Sequence, residues 1–212
     1  MTRHPIMVSP AALAAEAQQI MAENKIRHLP VVGNGKRLAG LITRQRLALK
    51  PDSVSSFNFW EISRYLANLT VERVMLPANE VVVIDPDRTV ERAAKLMSDK
   101  KIGCLPVIED DVVVGILSEV DLMTALAEML GLPAEGVRVT VRMRNEKGQF
   151  ARLMTAVAEQ GWGVMGIGSF PTPRRPGFYD VVIKIPNATI AQVEAGLSQI
   201  EEQEVVDVRE VV

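Results

Sequence analysis

Residues 20–32 and 96–108 are one segment written twice. The first reads Ile20, Met21, Ala22, Glu23, Asn24, Lys25, Ile26, Arg27, His28, Leu29, Pro30, Val31, Val32. The second keeps Met97, Lys101, Ile102, Leu105, Pro106 and Val107 at an offset of 76 residues, so six of 13 positions are identical. The likeness runs back to Ser9-Pro10 and Asp85-Pro86, and forward from Gly40, Leu41, Ile42, Thr43 to Gly115, Ile116, Leu117, Ser118. A long repeat with only two copies argues for paired units rather than a solenoid. Each copy predicts the order β-α-β-β-α: a strand ending in Ser/Asp-Pro (Ile6–Val8; Val81–Ile84), then a helix N-capped by Ser9 or Asp85. The helix carries an apolar i, i+3, i+4 stripe (Ala17, Ile20, Met21; Ala93, Leu96, Met97). Two strands follow (Leu29–Val32 and Leu38–Ile42; Leu105–Ile108 and Val112–Leu117), then a helix from Arg44 or Glu119. Two such units can bury their sheets about a pseudo-dyad. Between them, residues 51–56 read as a Ser-rich linker, and Phe59–Leu69 as a helix whose Trp60 and Tyr65 are packing residues.

Composition narrows the function. The 212 residues are 48% apolar and 24% charged with a net charge of −2, the profile of a soluble globular protein and not of a broadly basic nucleic-acid binder. One cysteine (Cys104) and two histidines (His4, His28) supply neither a disulfide nor a usual zinc site, so no metal is expected. No apolar run reaches the ~18 residues of a membrane span, and the first residues lack a signal-peptide core. The expectation is a cytoplasmic protein.

The strand-to-helix corners carry the chemistry. Ser118-Glu119-Val120-Asp121 fits a capping box, and equally a nucleoside site in which a carboxylate accepts both ribose hydroxyls and a hydroxyl meets phosphate. The first copy reads Thr43-Arg44-Gln45-Arg46, with Arg46 where Asp121 stands. A cation in a first helical turn opposes the helix dipole. With Arg27, Arg44 and Arg46 offer an anion cradle, or simply a solvated helix start. His28 and Cys104 occupy equivalent repeat positions and form the one His/Cys pair worth weighing as catalytic. No nucleophile has a base in its own segment, so no catalytic residue is assigned.

The duplicated units resemble the tandem cystathionine β-synthase (CBS) motif pair, or Bateman module. The likeness rests on Ile102-Gly103-Cys104-Leu105-Pro106-Val107, on Gly115–Ser118 with Asp121, and on the matching first copy. It implies regulatory binding of an adenine nucleotide (AMP, ADP or ATP type), a ligand rather than a catalytic cofactor; S-adenosylmethionine and NAD remain open. By this resemblance Ser118 holds phosphate and Asp121 ribose, and Ile102, Gly103, Cys104 and Pro106 flank adenine opposite Asn79, Val81 and Val83. The first copy offers Ile26, Arg27, His28, Pro30, Thr43, Arg44 and Arg46, with ribose capture weakened by the missing carboxylate.

After a turn-rich boundary at residues 131–136, the last third predicts βαββαβ, a ferredoxin-like order. Its elements are Val137–Met143, Phe150–Gln160 (Phe150, Leu153, Met154 and Val157 inward, Gly161 ending it), Val164–Phe170, Phe178–Ile185, Ile190–Gln199 and Val205–Val211. With its Asn145–Gly148 loop before an apolar helix, this segment resembles an ACT domain, although that family usually opens the loop with Asp and often carries Pro before Gly. The likeness implies side-by-side pairing and a small amino acid bound near Asn145, Gly148, Gln149 and Phe150; a plain turn is the alternative. The order CBS–CBS–ACT, the length and the Phe57–Ile62 insert resemble bacterial acetoin-utilisation CBS–ACT proteins. The expected class is mixed α/β (α+β). The expected domains are CBS motif 1 (1–50), linker and insert helix (51–70), CBS motif 2 (71–131) and ACT (137–212). The expected function is a non-enzymatic, homodimeric ligand sensor acting on an unidentified regulated protein, with neither nucleic acid nor membrane as partner. A ligand-free structural dimerisation module is the alternative.

Overall fold

Each Leu-Pro-Val run forms the first strand of a hairpin. In the computed structural model, which describes residues 1–47 and 67–211, β2 (His28–Val32) pairs antiparallel with β3 (Leu38–Thr43), and β5 (Cys104–Glu109) with β6 (Val112–Ser118). Both hairpins carry a bulge at the same repeat position, Val31/Val32 and Val107/Ile108. The second closes through Asp110 and Asp111, both at positive φ, the two-residue turn that matches strand twist. Pro30 and Pro106 have no N–H for the ladder, but their carbonyls accept the amides of Val8 (3.1 Å) and Ile84 (3.1 Å).

The third strand of each sheet comes from the other copy's leading segment. β1 (Thr2–Arg3) pairs with β6, Thr2 opposite Ile116, whereas β4 (Leu76–Pro77) pairs with β3, Gly40 opposite Pro77. This exchange replaces the expected strands at Ile6–Val8 and Val81–Ile84. Those segments shrink to single parallel bridges, Val8 to Val31 and Ile84 to Val107, because the prolines that follow end the pairing. The caps also differ from expectation. Helix α1 (Ala14–Glu23) starts after Leu13 with no side-chain cap, and α4 (Val90–Lys100) is capped by Thr89, which accepts from the Arg92 amide. Ser9 and Asp85 close turns ahead of the helices instead, onto Ala11 and Arg88.

The expected stripes do build the cores. Ala17 and Met21 pack with Leu29, Val31 and Ile42, and Ala93 and Met97 with Leu105, Val107 and Leu117. The short helix α3 (Val71–Val74) seats Val71 in the first core. The expected linker and most of the insert helix lie outside the described residues. Helices α2 (Arg44–Leu47) and α5 (Glu119–Met129) close the two copies. Contacts divide the chain into Met1–Leu122 and Met123–Val212.

The second unit is βαββαβ: β7 (Gly136–Arg144), α6 (Gln149–Glu159), β8 (Gly166–Pro171), β9 (Phe178–Ile185), α7 (Ile190–Leu197) and β10 (Gln203–Val211). Its antiparallel sheet runs β10-β7-β9-β8, the ferredoxin-like arrangement. Val137, Val139, Val141 and Met143 meet Leu153, Val157, Val193 and Leu197 in one core. Phe150 is a correction: it is 47% exposed, and the buried row along α6 is Gln149, Leu153 and Val157. The opposite sheet face is also covered. There Asp180 accepts both arms of Arg142 (2.8 and 3.1 Å) and the Thr172 hydroxyl (2.7 Å). Lys184, 2% exposed, donates to the carbonyls of Gly131 and Ala134.

Candidate functional site

The strand exchange creates a candidate site. Because β4 runs beside β3, the residues after it are carried to the first copy's strand-to-helix corner. A cavity of about 760 Å³ opens there, within the size range of small-molecule sites. The first copy lines it with Arg27, His28, Leu41, Thr43, Arg44, Gln45 and Arg46, and the second with Leu76, Glu80, Val81, Val82, Lys101, Ile102, Gly103 and Cys104.

Equivalent backbone bonds hold the two corners. The Arg44 amide donates to Arg27 O and the Glu119 amide to Gly103 O, each at 3.0 Å. The corners then diverge. In the second copy the cap is reciprocal: the Asp121 amide donates to Ser118 Oγ (3.3 Å), while the Ser118 amide and hydroxyl donate to Asp121 Oδ2 (2.8 and 2.5 Å). The Met1 nitrogen lies 3.9 Å from the same carboxylate. In the first copy only half survives, Arg46 N to Thr43 Oγ1 at 3.3 Å. The Arg46 guanidinium instead donates to the carbonyls of Val74 (3.5 Å) and Met75 (3.4 Å) at the end of α3. That gives this cation a structural use beside its place in the cavity wall.

The structure therefore regroups the residues picked out in the sequence. Val81, Ile102, Gly103 and Cys104 share the cavity with Thr43, Arg44 and Arg46, whereas Ser118 and Asp121 lie outside its lining. Asn79 and Val83 are exposed outside it, Pro30 and Pro106 are buried in their strands, and Ile26 packs on the first core. Leu41, Gln45, Leu76, Glu80, Val82 and Lys101 are lining residues that the sequence reading missed. Their signal was Gly40, where a Cβ would sit 2.4 Å from Leu76 O.

Burial pushes the His28 pKa down and Arg27 adds to this, while Glu119 opposes it. The Cys104 thiol is pushed up to about 12, by burial first and Glu119 second, so it stays protonated at neutral pH. His28 and Cys104 thus share a cavity without an activated thiolate. The His28 shift has a stability consequence. The unfolded chain takes up a proton near pH 6.5 that the folded state resists, so this contribution is present above that pH and is lost on acidification below it. Thermal melts at pH 7.5 and 5.5 should show a smaller acid loss for His28→Gln than for the parent; equal losses would contradict the assignment.

At the second unit's loop, Gly148 sits at φ 91° ahead of α6 and Asn145 is exposed. Gln149 is 3% exposed and committed inward, donating to Glu202 (2.9 Å) and accepting from Gln203 (3.0 Å). Among the described residues no cluster of three metal-ligating side chains occurs, and no helix is long and apolar enough to cross a membrane.

Residues 1–50 and 71–128 match the CBS domain, and together they make up just over half of the sequence. The chain belongs to the CBS-domain family. It is similar to a homoserine O-acetyltransferase of Methanohalobium evestigatum, 32% identical over 53% of this chain and 20% of that protein. It is also similar to the CBS domain-containing protein CBSCBSPB1 of Arabidopsis thaliana, 27% identical over 91% of this chain and 40% of that one. The chain spans less than half the length of these curated relatives. Among solved structures it is similar to a Vibrio cholerae protein assigned by name to acetoin utilization (AcuB), with a TM-score of 0.53 and 31% identity over 62% of this chain and 90% of that one.

Proposed function

We propose that this chain is a non-enzymatic regulatory sensor that binds an adenine nucleotide in the cavity between its two CBS copies. The observation that carries this reading is the cavity itself. Apolar wall from Val81 and Ile102 and the narrow Gly103 suit a flat base, while the Thr43 hydroxyl with Arg44 and Arg46 suits phosphate. Binding acts as a signal only if the ligand favours one of two states of the protein.

The second unit's βαββαβ sheet supports reading 137–212 as an ACT domain, with Asn145, Gly148, Gln149 and Phe150 near its ligand edge; residues 1–50 and 71–131 then form the CBS motifs around a linker at 51–70. Exposed Val120, Met123, Leu126 and Met129 on α5 support homodimer formation. The likeness to the Vibrio cholerae protein supports a role in acetoin utilisation; we extend the reading to a cytoplasmic setting and a separate regulated protein. One observation favours a ligand-free structural module instead: Arg46 stands in the cavity at the repeat position of the Asp121 carboxylate, and its guanidinium donates to the Val74 and Met75 carbonyls.

Calorimetric titration with AMP, ADP, ATP, NAD and S-adenosylmethionine decides between the two. We expect binding by at least one nucleotide, its loss in Val81→Trp, and an affinity in Asp121→Ala within about twofold of the parent. Loss in Asp121→Ala alone would move the site to the second corner. No binding by any of the five would favour the structural module.

A further inference from the structure

We propose that the cavity selects ligands by phosphate number, taking a nucleoside di- or triphosphate and rejecting nucleosides and cationic sulfonium ligands; this rests on the cavity being the ligand site. Four basic side chains line it: Arg27, Arg44, Arg46 and Lys101. Among the described residues Glu80 is the one carboxylate in the lining, with Glu119 packed behind Gly103, so the four cations stand against two carboxylates. None of the four cations has a carboxylate within ion-pair distance among the described residues. All four are exposed to solvent, and Arg46 alone of them also donates to backbone carbonyls, those of Val74 and Met75, among the described residues. Like charges gathered around one concavity repel one another until an anion enters, and the gain grows with the anion's charge.

The two copies give an internal comparison. At the repeat position of Asp121, a carboxylate able to accept ribose hydroxyls, the cavity has Arg46, which only donates. The sugar loses its strongest anchor, and phosphates must supply the affinity. A monophosphate engages part of the cation set, and a triphosphate spans more of it. A sulfonium ligand brings a positive charge to a positive site.

The test is magnesium-free calorimetry with adenosine, AMP, ADP, ATP, S-adenosylmethionine and inorganic tripolyphosphate, on the parent, Arg44→Gln and Lys101→Gln. Both side chains are exposed and without ion-pair partners among the described residues, so thermal melts should confirm folded variants. We expect affinity to rise from AMP to ATP by about tenfold or more, from charge-assisted contacts to the added phosphates. Adenosine and S-adenosylmethionine should not bind, tripolyphosphate should compete with ATP, and each variant should weaken ATP by about tenfold with a smaller loss for AMP. Equal affinity for AMP and ATP, or binding of S-adenosylmethionine, would overturn the selectivity and leave the nucleotide site standing. Unchanged ATP affinity in both variants would overturn the assignment of these cations. Tripolyphosphate binding without any adenine ligand would support polyanion selection while refuting the nucleotide reading. Silence from every ligand would refute both.

Discussion

Replacing Gly40 with valine should destabilise the protein by about 2–3 kcal/mol and weaken nucleotide binding at least about tenfold. Gly40 faces Pro77 in the β3–β4 pairing, and a Cβ there would lie 2.4 Å from Leu76 O and 2.7 Å from the Met75 sulfur. One of the two obstacles is backbone, so the strand must move away. Leu76 lines the cavity, and Glu80, Val81 and Val82 follow it along the chain. Stability and binding should therefore fall together. Gly33→Ala is the control, since nothing lies within 4 Å of its added carbon. Urea melts paired with calorimetry measure both effects. A Gly40→Val protein with the parent midpoint would mean that β4 does not pair with β3 in solution.

Arg142→Ala should cost about 3 kcal/mol in the second unit. Asp180 is 5% exposed and relies on the bidentate guanidinium and the Thr172 hydroxyl. The Arg142 hydrogen bond, helped by Thr172 and opposed by burial, holds the Asp180 carboxyl below the usual carboxylate range. The stabilisation is thus present above about pH 4 and fades as pH falls through the depressed value. Without Arg142 the buried carboxylate prefers a proton, so the variant's deficit should be smaller at pH 4 than at pH 7. The double replacement Arg142→Met with Asp180→Leu should recover most of the loss, because it leaves no buried charge unpaired. A deficit that stays constant with pH would show that Asp180 is not the group responsible.

Much of this architecture was legible because it is local. The Leu-Pro-Val runs, the helical stripes and each element of the βαββαβ unit announce themselves within a dozen residues, and the sequence bounds of Phe178–Ile185 are those of the strand. The strand exchange was not legible. β1 and β4 are two residues long, too short for periodicity, and they pair with residues far away in the chain. The repeat groups Val81 with Asp121, whereas β4 carries Val81 into a cavity lined by Arg46. The Ser118–Asp121 spacing serves capping and ribose capture equally well, so spacing could not separate them. On α6 the buried row begins with polar Gln149, which disguised the stripe and promoted its neighbour Phe150.

In the proposed function an adenine base lies between the two copies, against the second copy's backbone, with its phosphates at the first copy's corner. Photolabelling with 2-azido-ATP followed by peptide mapping tests it most directly. Crosslinks are expected within residues 76–82 or 101–104, competed by unlabelled ATP and lost in Val81→Trp. Crosslinks confined to the Ser118–Asp121 corner or to residues 145–150, or labelling that ATP does not compete, would contradict it.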